Sequence, residues 1–535
     1  MSLMSLSFIL FLAVVLVAYY LVPKKYQWAA LLVASYTFYL FSGIKPVIYI
    51  IFTTLVTYYS GRKMQGMRNA FLKQLEELGD TATKEQKKEI KKEVTARIHK
   101  VQVITILINL GVLCYVKYLN DFLDGINDLF SLFAWDASVP LVNVIVPLGL
   151  SYYTFNSLGY LIDVGRGKLE AEEHLGKFAL FLSFFPSIVQ GPLFRYEDVG
   201  VQLKAPHDFK YENLKFGAQL ILWGFFKKLV IAERVALISN TVFSPEFTDF
   251  NGGHVLIGVL AYSFHIYCDF SGGIDITRGV AQMMGIELPQ NFLRPFFATS
   301  MGDFWQRWHV SLTMWMRNYV FFPVMLSKPV MNLSKFVKKH FGNNAGKLVP
   351  SVVTPFVVFF LINIWHGLGW QRIINAIYMA GLISASVAFA GVFKKINEKL
   401  HINTEAFSWR IFQMLRTFLL LCISRIITKA PSLAVAVEML KAFFTDYTEI
   451  IKIFFEGNLY TFGLDASGYM VVIAAILVLL VVGILQESGM KIRETLAKQN
   501  VLFRWFIYLV LIFSVLIFGI YGSGFDSSAF IYGQY

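Results

Sequence analysis

The sequence predicts an all-α polytopic membrane protein with about 11 to 13 transmembrane or broken, re-entrant helices. Of its 535 residues, 56% are hydrophobic and only 16% are charged, a composition that soluble globular domains do not have. Apolar runs long enough to cross a bilayer recur along the chain. These runs include Phe8 to Val22, Trp28 to Phe41, Ile48 to Tyr59, Val101 to Leu119, Ser351 to Trp365 and Tyr469 to Leu485.

Charged residues between the apolar runs predict the orientation in the membrane. Lys24 and Lys25 follow the first run, and the residues before that run carry no charged side chain, so the N-terminus is predicted to be outside. Asp121 to Pro140 contains no Lys or Arg, which is typical of an outside loop, and its apolar residues are compatible with a lid or an interfacial helix. The basic segment Ser327 to Lys347 is predicted to be a cytoplasmic loop. The last run, Phe506 to Ile520, then places the C-terminus outside, in a multi-pass protein of the cell (inner, cytoplasmic) membrane.

Composition divides the chain into four predicted segments. N-terminal transmembrane helices come first, followed by a basic cytoplasmic insertion whose apolar spacing predicts amphipathic helices with a break at Gly79. A core segment carries most of the unusual polar residues, and C-terminal transmembrane helices end in an extracytoplasmic tail. The predicted segments are residues 1–60, 61–100, 101–400 and 401–535.

Composition also argues against several classes of function. The net charge of +13 does not indicate nucleic-acid binding, because the basic residues lie between apolar runs and not on a soluble face. Cys114, Cys268 and Cys422 lie in or beside apolar runs without metal-ligand spacing, so we expect reduced packing residues. We therefore expect neither a metal site nor a permanently bound cofactor.

Two segments have breaks where a regular helix would be expected. Pro147 and Gly149 interrupt the segment that ends at Arg166, and the run Phe178 to Val189 stops at Gln190. Helix-breaking residues at membrane depth are tolerated where protein or a water-filled cavity surrounds the backbone. These breaks predict a re-entrant floor around a cavity.

Two histidines, His309 and His366, are the first candidates for chemistry. His309 lies in the aromatic and arginine-rich segment Asp303 to Tyr319, and His366 ends a long apolar run before Gly367 and Gly369. An ionisable side chain at membrane depth is costly and usually faces a protein interior or a wet cavity. Imidazole can accept and return a proton near neutral pH. A histidine in a membrane is also often a packing residue, and that alternative stays open.

A carboxylate and two lysines are further ionisable residues within apolar sequence. We favour a structural pairing of Asp269 with an arginine such as Arg278 or Arg294 over a role in orienting a catalytic group, because an unpaired membrane carboxylate is costly. Lys227 and Lys228 follow another apolar stretch and are expected to snorkel to the cytoplasmic edge.

Several groups of residues, taken in order, resemble the membrane-bound O-acyltransferase (MBOAT) family. They are Pro147 to Phe155, Tyr160 to Val164, Phe184 to Pro186 with Gly191-Pro192, Phe225 to Lys228, Asp269 to Gly272, Leu288 to Phe292 with Arg294-Pro295, Phe304 to Leu312, and Trp365 to Gly367. The resemblance is to the branch with the alginate and peptidoglycan O-acetylation proteins and the D-alanyl transfer protein of teichoic acid modification. It implies helices arranged around a central funnel or tunnel.

The resemblance implies transfer of an acyl group, with acetyl favoured, from a cytoplasmic thioester across the membrane to an extracytoplasmic cell-envelope polysaccharide. It implies acetyl-CoA or an acyl carrier protein as donor and an extracytoplasmic acyltransferase as partner. His366 matches the catalytic histidine and would act as general base, and His309 would assist by proton transfer or by polarising the thioester carbonyl. Further residues would form the channel: Trp305, Arg307, Trp308, Arg317, Asn318, Asn363, Trp365 and Asp269.

The C-terminal residues Phe530 to Tyr532 resemble a Phe-x-Tyr motif of related acylation systems, in which a terminal tyrosine is proposed to carry the acyl group. Tyr532 would then take the acyl group at His366 and present it outside, although an interfacial aromatic anchor is the alternative. D-alanyl transfer from a carrier protein in teichoic acid modification also stays open. A proton-coupled transporter is the alternative from another class, and the two halves show no inverted repeat that would favour it.

Overall fold

The computed structural model describes residues 2–79, 83–133, 135, 137–448 and 450–521. Over these ranges the chain is built from helices and their connections, and the only β-type pairing is an isolated antiparallel bridge between Phe292 and Trp308. The predicted all-α class is confirmed.

The chain divides into two compact units, Met1–Ala218 with Thr277–Pro289, and Gln219–Ile276 with Gln290–Tyr535. The boundaries between the units fall within two long helices, Tyr211–Phe225 and Gly252–Met283. The four segments expected from composition stay a prediction.

The first unit contains most of the N-terminal helices. Thr83 begins the longest of them with a capping box, in which its side chain accepts from the Gln86 N–H and the Gln86 side chain accepts from the Thr83 N–H. The helices are α1 (Leu6–Leu21), α2 (Gln27–Leu40), α3 (Ile44–Leu78), α4 (Lys84–Leu132), α5 (Leu150–Arg166), α6 (Leu175–Ser183), α7 (Phe185–Ile188), α8 (Val201–Lys204) and the start of α9 (Tyr211–Phe225).

A polar cluster stabilises the connection between α5 and α6. Glu172 accepts hydrogen bonds from the Tyr196 hydroxyl, from the His174 N–H at 2.9 Å and from Lys204 at 3.0 Å. Burial raises the pKa of Glu172, but these hydrogen bonds lower it more, and the pKa lies below its ordinary value. The ionised carboxylate therefore stabilises this part of the first unit.

The second unit holds the remaining helices and both candidate histidines. Its helices are α10 (Glu233–Val242), α11 (Gly252–Met283), α12 (Met301–Arg307), α13 (Val310–Met316), α14 (Phe322–Met325), α15 (Lys328–Phe341), α16 (Asn343–Trp365), α17 (Trp370–Ala388), α18 (Ala390–Lys399), α19 (Phe407–Lys429), α20 (Leu433–Thr445), α21 (Ile450–Phe455), α22 (Ala466–Glu487), α23 (Ile492–Ala497) and α24 (Val501–Phe518).

Short helical turns occur in both units. The 3-10 turns cover Lys24–Tyr26, Pro295–Phe297 and Asn458–Phe462, and the π-helical turns cover Tyr196–Gly200, Phe226–Ala232 and Arg317–Phe321.

Six helices within the described ranges are long and apolar enough to cross a membrane: α4, α11, α16, α19, α22 and α24. A seventh span results if α17 and α18, which meet at a bend of 62°, are counted as one broken span. The protein is therefore a multi-pass membrane protein. The expected total of about 11 to 13, which includes short, broken and re-entrant segments, stays a prediction.

Two segments that the sequence predicts to connect membrane spans are helical over much of their length. Helix α4 continues through Asp121 as far as Leu132, and the basic segment from Ser327 to Lys347 forms α15 and the start of α16. Both segments alternate charged or polar residues with apolar ones at helical spacing. Charge alone cannot distinguish a solvated loop from an amphipathic helix.

Helices α9 and α11 approach each other closely within the second unit. A Cβ added at Gly224 would lie 2.6 Å from the Gly272 carbonyl oxygen, and one added at Gly272 would lie 2.9 Å from the Gly224 carbonyl oxygen. Such backbone contact is possible only between small residues. It brings the residues that follow Gly224 directly against the middle of α11.

Candidate functional site

The segment from Asn291 to Val310 forms a narrow hairpin-like turn that presents His309. The Leu293 N–H donates to the Arg307 carbonyl at 2.9 Å, and the Val310 N–H donates to the Asn291 carbonyl at 3.0 Å. His309 itself has φ 45° and ψ 51°, a left-handed conformation that residues other than glycine rarely adopt. The backbone therefore turns sharply at the histidine.

The His309 side chain lies in the interior of the second unit. The residue is 2% exposed, and the Phe270 ring meets the imidazole edge-on, with 4.8 Å between the ring centroids and an angle of 86° between the planes. The Nδ1 atom lies 3.4 Å from Asn291 Oδ1. One imidazole nitrogen is thus held by a neighbouring side chain on the same turn.

Aromatic side chains form the frame around this turn. Trp308 stacks on Phe304 at 5.5 Å and packs edge-on against Phe292 at 5.0 Å. Trp305 contacts Phe359 of α16 at 5.1 Å, which joins the turn to the helix that ends at His366. Trp305 and Trp308 therefore hold the turn that carries His309, and their expected place in the channel stays a prediction.

Arg307 belongs to an ion-pair network. It donates to Asp303 at 2.7 Å and to Glu487 at 3.0 Å, and Glu487 also accepts from Arg294 at 2.7 Å and Arg410 at 3.0 Å. Three arginines thus share one carboxylate at the end of α22. Arg307, which is predicted to be a channel residue, fixes the turn to α22.

His366 lies at the point where α16 stops. Its N–H donates to the Ile362 and Asn363 carbonyls, and the following Gly367 and Gly369 have φ values of 135° and 145°, which favour glycine. The Trp365 and His366 rings lie 4.5 Å apart. In contrast to the buried His309, the residue His366 is partly exposed.

Asn363 starts a buried chain of polar side chains behind His366. Its Oδ1 accepts from Asn375 Nδ2 at 2.8 Å, and Asn375 Oδ1 accepts from Ser424 Oγ at 2.7 Å. The Asn363 Nδ2 donates to the Phe359 carbonyl at 2.9 Å. Asn363 therefore links α16, α17 and α19 and supports the end of α16 that carries the histidine.

The expected partner of Asp269 is wrong. Asp269 is fully buried and pairs with Lys228, which also binds Glu233 at 2.5 Å. Lys227 donates to Ser271 at 2.9 Å and to Asp275 at 2.8 Å.

The expected snorkelling of Lys227 and Lys228 is wrong as well. Both are buried, because they lie on the π-helical turn that follows the close contact at Gly224. This ion cluster adjoins Phe270, which contacts His309.

The last two predicted channel residues lie on the π-helical turn after α13. Arg317 is exposed, and its guanidinium lies 5.4 Å from the centre of the Phe322 ring. Asn318 is partly exposed. Tyr532, the proposed acyl carrier, lies outside the described residues.

A cavity of about 200 Å³ lies elsewhere in the second unit. Its walls are mainly aromatic and aliphatic and come from α11, α19 and α22, with Arg294 and Gln486 as polar members. Tyr267, one of the wall residues, also contacts Trp308 at 6.3 Å between ring centroids. Neither candidate histidine lines it.

Sequence reasoning missed three residues of this site: Asn291, Lys228 and Glu487. Asn291 and Lys228 lie in segments that resemble the family, but their places in the interior are seen only from their contacts with Ser311 and Asp269. The arginines that pair with Glu487 lie 77 to 193 residues away in sequence. In the described ranges, no group of three or more potential metal ligands comes together.

The long apolar helices and the buried ionisable groups between them define a multi-pass helical membrane protein with a polar interior site. Residues 173–426, which contain both histidines, match the family model described as MBOAT, membrane-bound O-acyltransferase family. The chain therefore contains a domain of this family and is an acyltransferase, and the resemblance expected from the motifs is confirmed.

Named relatives are similar over much of the chain. A protein from Pseudomonas syringae pv. tomato named "Probable alginate O-acetylase AlgI" is 29% identical over 438 residues, which is 82% of this chain and 73% of the relative. A peptidoglycan O-acetyltransferase from Helicobacter pylori is 26% identical and covers 65% of this chain and 67% of its own. A teichoic acid D-alanyltransferase from Bacillus subtilis is 32% identical over 49% of this chain and 62% of its own.

Proposed function

We propose that this O-acyltransferase moves an acetyl group from a cytoplasmic thioester across the cell membrane for O-acylation of a cell-envelope polysaccharide. The observation that carries the proposal is the pair His309 and His366. Both lie in the family-matched region, and each stands at a break in helical backbone. The relatives named above support the choice of acceptor, since their names refer to alginate, peptidoglycan and teichoic acid.

The proposed chemistry assigns the general base to His366, because this residue is partly exposed. The imidazole takes the proton of the acceptor hydroxyl while the hydroxyl oxygen attacks the thioester carbonyl carbon. The C–O ester bond forms, the C–S bond breaks, and the proton passes to the departing thiolate. No oxidant or reductant is needed, and positioned proton transfer contributes about 10²- to 10⁴-fold to the rate.

The charge of the sequence around the histidines supports a phosphate-bearing donor such as acetyl-CoA. Residues 304–397 contain ten Lys and Arg and no Asp or Glu. Lysine and arginine form strong, charge-assisted hydrogen bonds with phosphate. The positive-inside rule alone would also place basic residues in this stretch, so the donor needs its own test.

The donor test compares acetyl-CoA with acetyl-pantetheine, which carries the same thioester without the nucleotide phosphates. If the basic stretch binds phosphate, replacing Lys335, Lys338 and Lys339 of α15 together by glutamine raises KM for acetyl-CoA and leaves KM for acetyl-pantetheine unchanged. The matched control is Lys87→Gln on α4. An equal change for both donors would contradict phosphate recognition by α15.

In the relay form of the proposal, the tyrosine hydroxyl at 532 is the first acceptor. Its phenol gives its proton to His366, takes the acetyl group as a phenyl ester and releases the thiol. An outside hydroxyl, activated by the partner acyltransferase, then attacks the ester and restores the phenol. Tyr532→Phe should abolish transfer to the polysaccharide while the chain still folds, and unchanged transfer would rule out the relay.

The decisive experiment uses the purified full chain in lipid nanodiscs with radiolabelled acetyl-CoA. His366→Ala is expected to reduce label transfer at least 100-fold, whereas His99→Ala, which removes an exposed histidine of α4, leaves transfer unchanged. Equal activity of the His366 variant and the native chain would overturn the assignment of the base.

The same setting separates the competing functions. If the label is transferred from labelled D-alanyl carrier protein and not from labelled acetyl-CoA, D-alanyl transfer is favoured. In inverted vesicles, solute flux driven by a pH gradient, without acyl transfer, would favour a proton-coupled transporter.

A further inference from the structure

Asn291 holds the backbone on the C-terminal side of His309. It is 1% exposed, its Oδ1 accepts the Ser311 N–H at 2.9 Å, and its backbone carbonyl accepts the Val310 N–H at 3.0 Å. These two bonds stabilise the left-handed turn at the histidine. They also fix the orientation of the Asn291 side chain.

The hydrogen bond from Ser311 identifies which end of the Asn291 amide faces His309. A backbone N–H needs an acceptor, so the atom at 2.9 Å must be the oxygen and not the nitrogen. The same oxygen lies 3.4 Å from His309 Nδ1. An amide oxygen can only accept, so a hydrogen bond between these two atoms requires the hydrogen on Nδ1.

We propose that Asn291 is a positioning residue that keeps the neutral His309 ring in the Nδ1–H tautomer, so that the lone pair lies on Nε2. The Phe270 ring, edge-on to the imidazole at 4.8 Å, restricts ring rotation that would exchange the two nitrogens. Asn291 thus acts through His309 and needs no contact with substrate.

The other end of the Asn291 side chain supports a role beyond packing. Its Nδ2 is buried and has no hydrogen-bond partner within the described ranges. An unsatisfied buried donor costs about 1–3 kcal/mol, and an apolar residue of similar size would avoid this cost. What the site gains from asparagine is the oxygen that faces Ser311 and His309.

The tautomer decides between the two roles open to His309. This step rests on the proposed function. With its lone pair on Nε2, the neutral ring can accept a proton there, but it cannot donate one to the thioester carbonyl. His309 therefore acts as a proton acceptor in the relay and not as the group that polarises the carbonyl.

The tautomer can be measured without any assay of activity. Solid-state ¹⁵N NMR of the full chain with labelled histidine distinguishes the protonated from the unprotonated ring nitrogen, and His309→Gln identifies the signals of this residue. We expect a single Nδ1–H form in the native chain. A Nε2–H form or an even mixture would overturn the proposal, whatever the substrate of the enzyme is.

Two variants test whether Asn291 is the cause. Asn291→Asp keeps an acceptor for both Ser311 and His309 and should retain the Nδ1–H form. Asn291→Leu removes the acceptor and should give a mixture of tautomers, with kcat reduced about 10- to 100-fold, the effect typical of removing an orienting partner, and KM changed little.

Misfolding of the leucine variant would be detected by its elution profile, and the native and aspartate spectra would still decide the question. An unchanged tautomer in a folded leucine variant would exclude Asn291 as the determinant. If the spectra agree with the proposal but the native chain transfers no acyl group, the proposed function fails and the tautomer assignment remains.

Discussion

Replacement of Lys228 by methionine should be among the most destabilising single changes in the second unit. The Lys228 side chain is 2% exposed, and its partners Asp269 and Glu233 are 0% and 9% exposed. Methionine has similar length but leaves two buried carboxylates without their cation. Breaking a buried pair by removing one partner costs about 3–5 kcal/mol. At roughly 2–4 °C per kcal/mol for a large domain, the unfolding midpoint should fall by on the order of 10 °C.

The assay is thermal unfolding of the detergent-purified chain, followed by the loss of the monodisperse elution peak after heating. Lys339→Met, on the exposed side of α15, is the control and should shift the midpoint by less than about 2 °C. Neutralising the carboxylates as well, with Asp269→Asn and Glu233→Gln in the Lys228→Met background, should recover most of the loss. If Lys228→Met behaves like the control, the buried ion cluster does not stabilise the fold.

Further predictions concern other contacts. Gly224→Ala should destabilise the second unit by about 1–3 kcal/mol, because its Cβ would lie 2.6 Å from a carbonyl oxygen of α11. The control Gly381→Ala has open space around the added Cβ and should not destabilise it. Equal unfolding midpoints of the two variants would contradict this prediction. Glu172→Gln should lower the midpoint at pH 7. Since the pKa of Glu172 is depressed, the difference should decrease once the pH falls below the ordinary value of about 4.3 and vanish only below the depressed pKa. Glu487→Gln should weaken the network of three arginines, and a double-mutant cycle with Arg410→Ala should give a coupling below about 1 kcal/mol, because Arg410 is half exposed.

The long apolar helices could be predicted from the sequence because hydropathy and helix-ending residues agree there. The run predicted from Ser351 to Trp365 ends where α16 ends, since the glycines that follow adopt φ values closed to other residues. The start of α16 at Asn343 was missed, because its first turn is polar. Amphipathic α15 was missed as well, because a search for apolar runs does not detect a helix in which polar and apolar residues alternate.

The identity of the buried ion pairs could not be predicted. The separation of two residues in sequence does not tell which lysine pairs with which carboxylate. Lys228 was expected at the membrane edge because it lies in the apolar helical pattern from Leu214 to Ile231, where a lysine would be expected to snorkel. The π-helical turn at Phe226–Ala232 and the glycine contact before it place both lysines against α11. Neither feature has a pattern that hydropathy can detect.

Backbone strain is concentrated in the turn that carries His309. Within the described ranges, only Arg294, His309 and His401 have positive φ without being glycine, and the first two belong to the same hairpin-like turn. Each such residue costs about 1–3 kcal/mol, a cost that glycine would largely avoid. The turn tolerates the cost because Asn291 and the Glu487 ion pairs hold it from both sides. Glycine would avoid most of this strain. Under the proposed function, the contribution of histidine that offsets the strain is its imidazole, with the lone pair on Nε2.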